Sequence, residues 1–185
     1  MNLSKASPVI SKKRGLIFSA KELGHMCFKI RKYMDCSKNI SDAEAFLQSP
    51  EINRTDFSKS DLVPLKYYEG RVALFESQVV KASKCLEDAF QWAYYKSYKN
   101  QRMILKYLIP AKICCGQLPT VELIQRYNLY EYALLSKAVY EGNLALYREQ
   151  FEKYKKLWIK RSLYVILEKI ELVVIRNLVK RVHRI

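Results

Sequence analysis

The sequence predicts an all-α fold, and three observations carry the prediction. Glycine and proline number only five each in 185 residues, too few for the turns of a β-sandwich. Hydrophobic residues make up 50%, which is enough apolar surface for a packed core. Apolar positions recur three and four residues apart through most of the chain, the period of a helix with one buried face. About eight helices are expected, with no sheet.

Residues 1–15 are polar and basic and read as a flexible arm carrying Lys12, Lys13 and Arg14. A first helix is expected from Leu16 to Tyr33, where Ile17, Leu23, Cys27 and Ile30 fall at helical spacing. Ser41 and Glu44 form a capping-box pattern ahead of a short helix that stops near Pro50. SPEINRTDFSKSD then reads as a loop. From Leu62 to Tyr98 the text is helix, break, helix. Ala82, Leu86 and Ala89 stand twelve, sixteen and nineteen residues after Gly70, the small-small-large-small skeleton of a tetratricopeptide-like hairpin. One such hairpin cannot bury both its faces, so neighbours must stack on it.

Pro110 lies inside the apolar run RMILKYLIPAKICCG, where it removes the bond to the Lys106 carbonyl, and a kink is expected near that residue. Gly116 should end this helix, Pro119 should occupy the first turn of the next, and Asn128 should close it. In KAVYEGNLALYREQF a glycine and an asparagine interrupt a helical pattern. Gly142 suits the left-handed conformation that ends one helix, and Asn143 can cap the amides of the next, so the pair predicts a tight corner. The following helix carries Leu144, Tyr147, Phe151, Tyr154 and Trp158 on one stripe. The last, from about Arg161 to Val182, is apolar over so wide a band that coverage on two sides is expected.

The chemistry-bearing inventory is thin. His25 and His183 are far apart, no nucleophile-elbow, Walker or dinucleotide-binding glycine pattern occurs, and the five cysteines show no metal-ligand spacing. Cys114 and Cys115 are adjacent but read, with the others, as packing residues. No enzyme activity, cofactor or metal is expected. The most apolar stretch is cut by Glu168, Lys169 and Glu171, so no membrane insertion is expected. The start has no apolar run followed by a cleavage site, which points to a reducing compartment.

The net charge of +15 calls for an acidic partner, a nucleic acid or an anionic surface. Lys153, Lys155, Lys156, Lys160 and Arg161, followed by Arg176, Lys180 and Arg181 and interleaved with Tyr154 and Trp158, form a candidate nucleic-acid-binding run. The same pattern is also that of a solvated helix face with its aromatics turned inward. A smaller cluster runs from Lys96 to Arg102.

RMILKYLIPAKICCGQLPTVELIQRYNL, AVYEGNLALYREQFEKY and LYVILEKIELVVIRNLVKRV together resemble the helical half of a PCI domain. YYEGRVALF and FKIRKYMDCSKNI are similar to the tetratricopeptide-like repeats that precede it in that family, and the likeness runs from about Met26 to Arg181. It implies tetratricopeptide-like helical repeats over residues 16–100 leading into the helical part of a PCI domain over 101–185, in a right-handed superhelix. Within the family the closest likeness is to subunits of the nuclear transcription-and-export complex 2 and to signalosome subunit 12-like proteins. That implies a non-catalytic scaffold subunit of a nuclear mRNA export complex, binding a large helical scaffold protein and a small acidic disordered subunit. The alternatives are a basic helical protein that binds RNA or DNA directly, or a subunit of a proteasome-lid or signalosome-like assembly. The implied location is the nucleus, with the nuclear pore or the cytoplasm as variants. In the family a winged-helix module follows the helical part, and this sequence stops at RVHRI, so Leu178, Val179 and Val182 are expected on an uncovered apolar surface.

Overall fold

The computed structural model describes residues 8–49 and 57–183. Among them the chain is all-α: α1 (Pro8–Ile30), α2 (Ser37–Leu47), α3 (Lys59–Phe75), α4 (Val79–Trp92), α5 (Tyr98–Cys114), α6 (Val121–Arg126), α7 (Ala133–Glu141), α8 (Leu144–Lys153), α9 (Lys155–Lys160) and α10 (Tyr164–Val182), with 3-10 turns at Met34–Cys36 and Tyr130–Tyr132. Successive helices α3, α4 and α5 pack side by side, and α10 lies against α5, α7 and α8. A single core runs from Ile17 in α1 to Val174 in α10.

The first helix begins at Pro8 rather than Leu16, so Lys12, Lys13 and Arg14 are helical; the earlier part of the expected arm lies outside the described residues. It ends at Ile30 because Arg31 takes a left-handed φ of 62° and the Lys32 amide returns to the Cys27 carbonyl at 2.9 Å. The capping box at Ser41 and Glu44 is not formed. Their helix starts four residues earlier, at Ser37, and Glu44 is buried, where its carboxylate meets Lys66 Nζ at 2.6 Å. Lys66 also reaches Glu69 at 2.9 Å. A buried carboxylate needs such a partner more than a helix end needs a cap. Of the expected loop, residues 50–56 lie outside the described ones, and Ser58 already caps α3 by accepting from the Ser60 amide.

The α3–α4 hairpin packs as the small residues require. A Cβ on Gly70 would stand 2.6 Å from Leu86 Cγ and 3.3 Å from the Ala82 carbonyl, and Ala82, Leu86 and Ala89 are fully buried. The second helix is shorter than its pattern, ending at Trp92 because Ala93 turns extended. Arg71 ties this hairpin to its neighbours. Its guanidinium lies 4.2 Å from the ring centroids of both Phe28 in α1 and Tyr107 in α5, a cation between two aromatic faces.

Helix α5 runs on through Pro110. The Lys106 carbonyl, deprived of its amide partner, accepts instead from the Tyr132 hydroxyl at 2.7 Å. Burial pushes the Tyr132 phenol well above its ordinary pKa, so the donor stays protonated. Gly116, at φ 84°, ends α5 as expected, with the Gln117 amide returning to Lys112 O at 2.9 Å. Asn128, at φ 50°, closes α6 with the same bond pattern. Pro119 lies one residue before the N-cap rather than in the first turn, because Thr120 takes the cap and accepts from the Leu123 amide.

Two further expectations are corrected in the C-terminal part. The helix after the corner is two helices, α8 and α9, parted at Tyr154 (φ −103°, ψ 13°). Its stripe still faces inward, with Tyr147 and Trp158 buried. Helix α10, expected to be covered on two sides, is covered on one among the described residues. Ile166, Leu167, Ile170 and Val174 are buried, while Val165, Leu172, Val179 and Val182 are more than half exposed. Leu178 is 39% exposed, so the apolar surface expected at Leu178, Val179 and Val182 is present.

Tyr132→Phe should cost about 1–3 kcal/mol in urea unfolding, because it strands the buried Lys106 carbonyl. Pro110→Ala restores an amide to that carbonyl, so the cost of Tyr132→Phe should shrink in that background. Equal costs in both backgrounds would show that the hydroxyl does not stand in for the missing amide.

Candidate functional site

The site is built on the α7–α8 corner. Gly142 takes φ 66°, the Asn143 amide returns to the Ala138 carbonyl at 2.9 Å, and Asn143 Oδ1 then accepts from the Leu146 amide at 3.0 Å. One residue pair thus ends a helix and begins the next. The corner also receives α10. A Cβ on Gly142 would stand 2.6 Å from the Leu178 backbone nitrogen and 2.7 Å from its Cα. Asn177 Nδ2 donates to the Val139 carbonyl at 2.8 Å, and Arg181 Nη1 donates to the Glu141 carbonyl at 2.9 Å. Two carbonyls of the α7 C-terminus are therefore capped from α10.

This docking leaves a cleft of about 510 Å³ between the end of α5, the outer side of α7 and the C-terminal half of α10. Arg176, Lys180 and Arg181 supply its charge, and Leu118, Tyr140 and Val173 its apolar walls. Arg176 has its polar contact at 3.4 Å, to Asn177 Oδ1. The cleft is suited to an anionic group joined to an apolar one, such as an acidic segment with an aromatic residue. Beside it, Leu172, Ile175, Val179 and Val182 recur at spacings of three and four along α10 and are 68%, 38%, 60% and 64% exposed. That is the spacing of a helix-pairing seam.

The sequence-predicted nucleic-acid run does not assemble into one patch. Arg161 is spent on Glu131 at 2.7 Å, both side chains being largely buried. Lys155 pairs with Glu152 at 2.9 Å. Lys153 lies 5.5 Å from the Tyr154 ring centroid, and Lys156 and Lys160 are exposed. Arg176, Lys180 and Arg181 do converge, but at the other end of α10, roughly 18–25 Å by helix rise from its first residue, Tyr164. Arg181 there holds the fold as well as lining the cleft. What sequence reading missed is Asn177, whose capping role depends on a partner 38 residues away.

Among the described residues no group of three or more His, Cys, Asp or Glu side chains is placed to hold a metal, and no helix is long and apolar enough to cross a membrane. Burial pushes the Cys36, Cys85 and Cys114 thiols up to about 12, the reverse of an activated thiolate. Cys27, Cys36 and Cys85 are buried as expected, whereas Cys114 is half-buried and Cys115 exposed.

No family model matches the chain. Individual proteins do. The chain is 37% identical to PCI domain-containing protein 2 of Xenopus laevis over 94% of its own length and 42% of that protein's. It is 34% identical to the protein of the same name in Danio rerio, over 95% of this chain and 43% of that one. A CSN12 homolog of Gibberella zeae is 30% identical over 68% of the chain and 28% of its own length. The chain spans less than half the length of these curated relatives.

Gly142→Val should destabilise by more than the roughly 1–2 kcal/mol of a left-handed φ alone, because the added carbon meets the backbone of α10. Gly142→Asn separates the two causes. Asparagine tolerates the φ, so a steric origin predicts a loss close to that of valine, and near-wild-type stability for Asn in thermal unfolding would refute it.

Proposed function

We propose a function from one premise: by sequence the chain belongs to the PCI domain-containing protein 2 family. PCI-domain proteins are in general non-catalytic scaffold subunits. Within that class we place this chain in a nuclear, transcription-coupled mRNA export complex, where it holds a larger helical scaffold protein and a small acidic disordered subunit. The observation that carries the reading is the C-terminal half of α10, where a cationic cleft and an apolar seam lie side by side. The cleft has the chemistry for an acidic chain, steered in by the +15 charge. The seam has the spacing for a partner helix.

A second reading follows from the CSN12 name among the relatives: the same surfaces serve a signalosome-like or proteasome-lid-like assembly. Both readings are scaffold roles and differ in which helical partner fills the seam.

The tagged protein, recovered from nuclear extract, should bring down two stoichiometric partners that survive nuclease. Leu172→Asp with Val179→Asp should release the larger one, and Arg176→Glu with Lys180→Glu the acidic one. These four side chains are on the surface, so melting temperatures should hold within a few degrees. Recovery of neither partner, or of nucleic acid alone, would defeat the scaffold reading; signalosome or proteasome-lid subunits in place of export factors would select the second assembly.

A further inference from the structure

We propose that the N-terminal half of α5 and the turn before it, from the Tyr94–Tyr95 pair to Lys106, form a binding track for single-stranded nucleic acid. The proposal stands apart from the scaffold reading and uses none of the residues of the α10 cleft or seam.

Charge is the first support. From Ala89 to Val121 the sequence contains no Asp or Glu, while it carries Lys96, Lys99, Arg102, Lys106 and Lys112. Lys112 is spent on Glu87 at 2.7 Å. Lys99, Arg102 and Lys106 recur at spacings of three and four and so share a face of α5. That face is fixed against the end of α6. The Tyr98 ring stacks on Tyr127 at 5.4 Å, and Arg102 donates to the Tyr127 carbonyl at 2.8 Å and the Asn128 carbonyl at 3.1 Å. Lys106 stands near both Arg102 and Arg161, and burial followed by those two guanidinium groups lowers its pKa. The carboxylate at this point, Glu131, is already engaged by Arg161. A phosphate would relieve the like-charge crowding.

The aromatic groups are the second support, and they point to a nucleic acid rather than an acidic protein. Tyr94 and Tyr95, in the turn that leads into α5, are 61% and 69% exposed. Their ring centroids are 5.0 Å apart, and Lys96 Nζ lies 5.6 Å from the Tyr95 ring. Neither ring belongs to the core. Below them opens a groove of about 660 Å³, walled by Val63, Pro64 and Trp92 and flanked by Lys59. Two exposed rings with Lys96 beside them, at the start of a helix that carries Lys99, Arg102 and Lys106, make a stacking platform leading to a phosphate path, the arrangement that holds single strands with little sequence preference. A carboxylate-rich peptide would use the cations and leave the ring faces idle. From Tyr98 to Lys106 the helix rises roughly 12 Å, enough for a few nucleotides with the turn before it.

The test is anisotropy of a fluorescein-labelled oligouridine dodecamer with the full 185-residue chain at about 50 and about 200 mM salt. Tyr94→Ala with Tyr95→Ala should weaken binding about tenfold or more, with an unchanged melting temperature. Lys96→Glu with Lys99→Glu should weaken it and flatten the salt dependence, while Arg176→Glu with Lys180→Glu should retain most of it. Photocrosslinking of a 5-bromouridine dodecamer should place the adduct on Tyr94 or Tyr95. Undiminished binding by the tyrosine variant, equal affinity for a duplex of the same length, or an adduct confined to the α10 cleft would each overturn the proposal. So would a chain that ignores the dodecamer but binds a polyglutamate peptide through the same tyrosines, which assigns the face to acidic protein.

Discussion

The backbone of α10 lies so close to Gly142 that no side chain fits between them, and much of the C-terminal half of the molecule depends on that contact. Because the corner admits the backbone, Asn177 and Arg181 reach the carbonyls that α7 leaves open at its end. Because α10 is held there, its Ile170 and Val174 side faces the core and its Leu172 and Val179 side faces out. The cleft and the seam are thus consequences of one glycine. The same logic operates at Gly70, where the α3–α4 hairpin closes onto Leu86. In a helical stack, small residues set where neighbours meet, and large ones fill what is left.

Local chemistry was legible in the sequence wherever a residue type answers a backbone need within a few positions. Gly116, Asn128 and Gly142 end helices because of what they are, and Asn143 caps because it follows. The hairpin skeleton was legible for the same reason, since its spacing is a property of helices. What was not legible depends on partners distant in sequence. Glu44 looked like a cap and is a buried anion, because Lys66 lies across from it. The Lys106 carbonyl, left open by Pro110, is served by Tyr132, which the sequence did not point to. Arg161 looked free and belongs to Glu131. At Glu44 and Arg161 the local reading lost to a burial constraint set by a distant part of the chain.

The candidate site divides along the same line. That charge would be concentrated on this chain was plain from composition. Which cations are available was not, because pairing depends on geometry. The run from Lys153 to Arg161 is dense in sequence, yet two of its members are taken by Glu152 and Glu131. The sparser set on α10 converges because residues four apart share a helix face. The stretch from Ala89 to Val121 is sparser still, but its lack of acids leaves fewer neighbours to neutralise it.

The distance between the two basic regions decides whether one polyanion excludes another. Glu44, Glu69 and Glu131 are paired within the fold, so the outward field at each region is set by its own exposed charges. Lys106, at the end of the α5 face, stands ten residues before Gly116, beside which Arg176 lies in the cleft, so the two regions come within roughly 15 Å of each other. At physiological salt the screening length is about 8 Å, roughly half that distance. A phosphate chain on α5 therefore barely alters the field at the cleft, and an acidic protein chain in the cleft leaves the α5 face attractive. At about 10 mM salt the screening length grows to about 30 Å, beyond the separation, and each polyanion then weakens the other. Simultaneous occupancy of the two regions, if both proposals hold, is thus a property of ionic strength as much as of shape.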